Sequence, residues 1–359
     1  MLEKIRKLVE KTPGIKGRKI ASVLGIENAK VNRALHDNRQ LFRQDSEYQW
    51  WIVSAELKIQ FPICSWLDVD TFEKTIAAGE SPLDGGHTSV VFVLANTAGI
   101  ILDAMARLLA LSNQLVASNK NVIIDMSDCN KTLTYLDRVG FFDHLHSSIT
   151  VLPNRPISSR ARTFKGNNLG VVELEKLDLD ALDESIPERL SQSLSNCAGD
   201  KYSVVATTII GELFNNVKEH SRSAIPGFAA LQFYKGGGHI QTVISDSGKG
   251  IIGTLRPVLE TRYPKLAKKL IDAKIDPDAL LLKEVLTKGG FSQVNSQGRG
   301  LGLMASNELA SRFNAIITIR QENLQVQFSY RAGVNSKFTY KPNMTRILGT
   351  HICFDFLLD

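Results

Sequence analysis

The sequence predicts an α/β protein of several units, and three observations lead there. Its 359 residues exceed what a single core of ordinary size organises. Positive charge is concentrated at one end: residues 1–50 hold eleven Lys and Arg against six Asp and Glu, while the rest is nearly balanced at 32 against 31. Between 87 and 152, short apolar runs alternate with helical patterns, as in a βαβ unit. Hydrophobic residues make up 43% and charged residues 22%, which excludes a disordered chain. The cysteines Cys64, Cys129, Cys197 and Cys353 form no CxxC pair. That argues against a zinc knuckle or a disulfide framework and fits a reducing compartment. The longest apolar run, VVFVLANTAGIIL at 90–102, is too short for a bilayer, and MLEKIRKLVE is charged rather than signal-like. A cytoplasmic protein without membrane contact is expected.

Along the chain, Leu2, Ile5, Leu8 and Val9 have helical period and stop at Pro13-Gly14. RKIASVLGI at 18–26 reads as a second helix ended by Gly25, and NAKVNRALHDN at 28–38 as a third, capped by Asn28. LFRQDSEYQWWIV at 41–53 reads as two strands around a polar turn. Three short helices and a hairpin, over residues 1–55, make a winged helix-turn-helix. Its third helix would place Lys30 and Arg33 on a nucleic-acid backbone. KVNRALHDN…LFRQDSEYQWW resembles the Z-alpha winged helices that bind left-handed nucleic acid. That resemblance implies contacts from Asn32 and from Trp50 or Trp51, with His36 where the family has Tyr. DNA is the expected nucleic acid, of undefined sequence and handedness. A winged helix used for protein contacts is the alternative.

Residues 56–86 end in GESPLDGGH and read as a linker with some structure. From 87 to 153 the order is strand (SVVFVLA), helix, buried strand (NVIIDMSD), helix and a last strand (SITVLP). This α/β unit resembles the STAS-like domains of bacterial regulators, in which the turn after such a strand carries a phosphorylatable Ser or Thr. Thr132 stands nearest that place, but the family's Asp-Ser-Ser-Gly run is missing. A scaffold that keeps the fold and binds a protein partner is the expectation. Residues 154–186, polar and mixed, read as a second linker.

The stretch GELFNNVKEHS at 211–221 sets Glu212, Asn216 and His220 four residues apart, on one face of a helix that carries Leu213, Phe214 and Val217. A strand, HIQTVISD, then runs into DSGKG at 246–250. Asp246 at that strand end can accept from an exocyclic amine, and Gly248 and Gly250 leave room for a planar ring against the backbone. A third element, GRGLGL, opens a helix with Gly298, Arg299, Gly300 and Gly302. Backbone N–H groups at a glycine-rich helix start suit phosphates. The long connection 251–297 reads as a lid.

In this order the three motifs resemble the GHKL ATPase superfamily: gyrase B, the 90-kDa heat-shock chaperone, MutL, histidine kinases and anti-sigma-factor kinases. Gly349-Thr350, in ILGTHICFDF at 347–356, resembles the family's Gly-Thr near its last strand. The resemblance covers residues 187–359 and implies a mixed sheet covered by helices that binds ATP with Mg2+. It implies Asn216 as the magnesium ligand and Asp246 on the adenine amino group, with Gly248 and Gly250 bordering the base. Gly298, Arg299, Gly300 and Gly302 would hold phosphates, with Thr350 beside the adenine. Glu212 takes the place of the general base of the gyrase, chaperone and anti-sigma branches, and His220 matches the anti-sigma-like branch. Asn215 is expected to be a structural polar residue.

Together these readings describe a regulator that couples Mg-ATP binding and slow hydrolysis to nucleic-acid binding. Two alternatives stay open: a Ser/Thr protein kinase of the anti-sigma type acting on the STAS-like segment or a partner, and a non-catalytic nucleotide-binding adaptor. A homodimer is compatible with all three.

Overall fold

The computed structural model describes every residue except 40, 46, 53–55, 95–98, 179, 221–222, 290, 292–301, 333 and 359. At the N-terminus, α1 (Leu2–Lys11) buries Ile5 and Val9, one helical turn apart. After β1 (Ile15–Lys16), α2 (Gly17–Leu24) ends on Gly25, whose φ of 63° is the left-handed geometry that glycine adopts without steric cost. Helix α3 (Asn28–Asp37) buries Val31, Ala34 and Leu35. Its cap is Glu27 rather than Asn28, which is already the first helical residue. Strands β2 (Phe42–Gln44) and β3 (Gln49–Ile52) form the expected hairpin. Asp45 holds its turn by accepting from the backbone N–H groups of Gln49 at 2.8 Å and Glu47 at 3.0 Å.

The middle of the chain forms a four-stranded parallel sheet in sequential order. Its elements are β4 (Glu56–Gln60), α4 (Val69–Ile76), β5 (Ser89–Val93), α5 (Leu102–Ala117), β6 (Asn121–Asp125), α6 (Asn130–Arg138), α7 (Phe141–His144) and β7 (Thr150–Leu152). The segment expected as a linker at 56–86 therefore supplies an edge strand and a helix. ELKIQ offers only Leu57 and Ile59 to the core, too little apolar signal to read as a strand. Ile59, Val90, Phe92, Val122, Ile124 and Val151 alternate onto the helix-covered face. Helix α5 is buried without a break from Leu102 to Leu115, polar residues included.

After the short α8 (Arg160–Thr163), β8 (Val171–Leu177) comes from the second expected linker and forms an edge of the larger sheet. A register shift between Val172 and Glu175 breaks its two-residue period, which hides it in the sequence. Helices α9 (Ile186–Ala198) and α10 (Ser203–His220) follow, then β9 (Gly227–Tyr234) and β10 (His239–Asp246). The connection expected as a lid folds into α11 (Gly250–Leu255), α12 (Leu259–Arg262), α13 (Pro264–Ile271) and α14 (Pro277–Lys288). Helix α15 (Gly302–Ala310) leads to β11 (Ala315–Glu322), β12 (Leu324–Arg331), β13 (Val334–Lys341) and β14 (Ile347–Leu357). The seven strands run in the order β13-β12-β11-β14-β10-β9-β8. Every pairing in this sheet is antiparallel, so the expected mixed sheet is corrected to an antiparallel one. Neighbours such as β9–β10 and β11–β12 are joined by short turns, which only antiparallel strands allow.

This sheet is covered on both faces. Ile240, Ile244, Ile352, Phe354 and Ile317 share a core with Ile209, Leu213 and Leu281 of α10 and α14. On the other face, Phe228, Ala230, Val243 and Cys353 belong to the core that contains α5. The chain is thus an α/β protein of several units, in which α5 lies between two sheets. Residues 80–87 tie the three regions by charge. Glu80 pairs with Arg43 of β2, and Asp84 accepts from Arg346, just before β14, at 3.2 Å. Lys120 donates to the Gly85 carbonyl at 2.6 Å.

Candidate functional site

The end of β10 gathers Asp246, Gly248, Gly250 and Thr350 from the residues singled out in the C-terminal sequence. Asp246 pairs in register with Thr350 of β14, and Thr350 with Gln321 of β11. Strand alternation sets all three on the face that carries Ile244, Ile352 and Ile319, the side of α10. They form a polar row where that apolar layer stops. Gln321 donates to Thr350 Oγ1 at 2.8 Å and accepts from the Ile252 N–H of α11 at 3.1 Å. Asp246 Oδ1 accepts from the Gly248 N–H at 2.7 Å, closing the turn of DSG.

Two glycines shape this corner. Gly349 has φ of 90°, and a Cβ on it would lie 1.9 Å from the Asp246 carbonyl oxygen, so only glycine fits. Gly250 has φ of 68°, and a Cβ there would meet the Gln321 amide at 3.1 Å. Gln321 was missed in the sequence because a Gln late in a strand carries no motif; only its register beside Thr350 singles it out.

Helix α10 places Glu212 and Asn216 half-buried above Leu213 and Val217, and leaves Asn215 exposed. Its last turns lie against the same strand end. Val217 Cγ1 and the Ser245 carbonyl oxygen are both within 3.5 Å of the point where a Cβ on Gly227 would stand. Helix α10 also packs on α15, which Gly302 opens. Gly298, Arg299 and Gly300 lie outside the described residues, as does the side chain of His220. Two clefts of about 400 and 490 Å³ lie among helices α12, α13 and α14, lined by residues such as Leu259 and Leu270, and Tyr263 and Phe291. Neither is lined by a residue predicted to bind nucleotide.

Behind the corner, the opposite face carries a second polar row, Ser245, His351, Arg320 and Gln325, paired across four strands. The Ser245 hydroxyl donates to His351 Nδ1 at 2.5 Å, and His351 Nε2–H donates to the Leu348 carbonyl at 2.9 Å. Burial, with Arg107 and Arg320 nearby, pushes the His351 pKa down to about 3, so the ring is neutral. Arg107 of α5 makes a two-pronged contact with Asp103 at 3.0 and 3.2 Å and donates to Glu73 at 2.6 Å and Gln325 at 2.9 Å. Arg320 donates to the same Glu73 carboxylate at 3.0 Å and to the carbonyls of Glu322 and Thr345. Burial alone would lower the Arg107 pKa, but Asp103 and Glu73 outweigh it and hold the guanidinium above its ordinary value.

In the N-terminal unit, Asn32, His36 and Trp50 come together. Asn32 Oδ1 and Trp50 Nε1 approach the same face of Gly17, at 2.5 and 3.5 Å from where its Cβ would stand. The His36 ring meets Trp50 edge-on at 5.0 Å. Trp50 is only 2% exposed, which corrects its expected place as a surface contact. The two-residue period of β3 turns it into the core and leaves Trp51 half-buried outside, donating to Asp45 at 2.9 Å. Lys30, Arg33 and His36 are exposed, with Lys30 beside Glu27 at 3.3 Å and Arg33 beside Asp37 at 3.5 Å. Thr132, the candidate phosphorylation site, is fully buried in α6.

No protein-family model matches the chain, and no curated protein matches it. Among the described residues, no helix is long and apolar enough to cross a membrane.

Proposed function

We propose that the chain is an ATP-dependent regulator of the GHKL type, with a winged helix at its N-terminus and a STAS-like unit between. The observation that carries this reading is the corner at the end of β10, where Asp246, Thr350 and Gly250 converge beside the last turns of the Glu212–Asn216 helix. The residues fit a magnesium nucleotide. Asp246 accepts from the exocyclic amine of adenine, held in place by the Gly248 N–H. Thr350, fixed by Gln321, borders the ring, and Gly250 lets it approach the backbone.

Magnesium keeps most of its shell as water and phosphate oxygens, so one amide oxygen from Asn216 suffices on the protein side. When bound, the ion would neutralise phosphate charge. Glu212, one helical turn before Asn216, orients water and takes up its proton. The exposed Lys30, Arg33 and His36 of α3 supply the nucleic-acid face. The buried hydroxyl of Thr132 favours hydrolysis over phosphotransfer to the chain's own middle unit.

Titration calorimetry with ATP and Mg2+, with and without duplex DNA, tests the reading. ATP should bind the wild type and Glu212→Ala alike, turnover should vanish in Glu212→Ala, and Asn216→Ala should lose Mg-dependent binding. Wild-type turnover in Glu212→Ala would remove the assigned base, and no ATP binding by the wild type would end the proposal.

A further inference from the structure

The middle unit reaches the nucleotide corner through one side chain. Gln114 lies on α5, is fully buried, and makes three hydrogen bonds. Its Nε2 donates to Ser247 Oγ at 2.9 Å and to the Leu348 carbonyl at 2.9 Å, while its Oε1 accepts from the Leu348 N–H at 2.9 Å. Ser247 follows Asp246, and Leu348 precedes Gly349-Thr350. The amide therefore grips both strand ends that form the corner, from the face opposite the base. It pairs with Leu348 as a neighbouring strand would, at a place where β10 and β14 have run out of ladder.

The same Leu348 carbonyl also accepts from His351, so this backbone unit is fixed from two sides. Gly349 is pressed onto the Asp246 carbonyl, so a shift of Leu348 cannot be absorbed there and passes to Asp246 and Thr350.

We propose that Gln114 is a positioning residue for base recognition, so that the seating of α5 on the large sheet sets the shape of the adenine corner. The inference rests on the nucleotide reading above. It implies reciprocity: a nucleotide that fits the corner tightens the hold of α5 on the sheet, and a partner that shifts α5 weakens the nucleotide.

The test compares the full-length wild type with Gln114→Met, which keeps volume and removes the polar groups, and with Ser247→Ala, which removes one bond at a partly exposed residue. Each is titrated with ATP and with inorganic tripolyphosphate, both with Mg2+. Gln114→Met should weaken ATP by about tenfold or more and leave tripolyphosphate within about twofold, because three hydrogen bonds to the base corner are lost and none to the phosphate side. Ser247→Ala should show the same selective loss, smaller in size, and serves alone if Gln114→Met does not fold. Equal ATP affinity in both variants, or a parallel fall for both ligands, overturns the proposal.

Amide exchange on the ligand-free chain separates this failure from that of the nucleotide reading. Faster exchange confined to 247–249 and 348–350 in the variants supports the clamp whatever the wild type binds. Unchanged exchange there overturns it.

Discussion

Helices α5 and α10 flank the same seven-stranded sheet and treat their polar residues in opposite ways. On α5, Asp103, Arg107 and Gln114 are buried and have their hydrogen bonds made within the chain. On α10, Glu212 and Asn216 stand half-buried, on the helix whose Val217 reaches the end of β10 near the Ser245 carbonyl. The difference separates a helix whose polar groups are used up inside the molecule from one whose polar groups remain partly open to solvent. A polar group inside α5 is costly unless its partners are present, whereas a half-buried polar group on α10 keeps contact with water.

The largest expected effect falls on α5. Arg107→Met leaves the buried Asp103 without its cation, while Glu73 keeps Arg320, and should cost about 3–5 kcal/mol in urea unfolding. A loss under ~1 kcal/mol would mean that these charges are compensated elsewhere.

A smaller effect is set by pH, through the row behind the corner. His351 has its pKa held near 3 in the folded chain, against about 6.5 when unfolded. The unfolded chain therefore binds the proton first, and this contribution is complete above the unfolded value and lost as pH falls toward the folded one. Between pH 7 and 5 it amounts to about 2 kcal/mol. His351→Gln should remove that share of the slope in denaturant titrations at the two pH values. His87 and His144, also depressed by burial, keep a residual slope of the same sign.

The smallest effect belongs to α10. Asn216→Ala should change stability by no more than about 0.5 kcal/mol, since Ala favours helix and no core contact is lost. A thermal or urea scan checks it; a loss as large as that of Arg107→Met would make Asn216 a structural residue and erase the contrast between the helices.

How legible these features were in sequence follows the same division. Helix α10, the strand ending in Asp246 and the closing strand around Thr350 carry strong periodicity and recognisable residue types, and the elements stand where the sequence sets them. What could not be read was the second face of the large sheet. Ser245, His351, Arg320 and Gln325 have the alternation of a solvent-facing side, and only the arrival of α5 turns them into an interior. Edge strands failed for a related reason: β4 shows two apolar side chains and β8 has a bulge, so neither sustains a period. Trp50 and Trp51 illustrate the limit of composition. Adjacent and identical, they were separated only by which face of β3 each occupies.

The loop that ends in Gly85-Gly86-His87 has the composition of a spacer, yet charges from three regions converge on it. Glu80 holds Arg43 from the N-terminal hairpin, Asp84 holds Arg346 from the approach to β14, and the Gly85 carbonyl holds Lys120 from the middle unit. Its length is therefore the lesser part of its role. A glycine-serine stretch of equal reach would span the same gap and could still offer a backbone carbonyl to Lys120, but it would release the ties of Glu80 and Asp84, so the N-terminal hairpin and the approach to β14 would lose their hold on the middle unit.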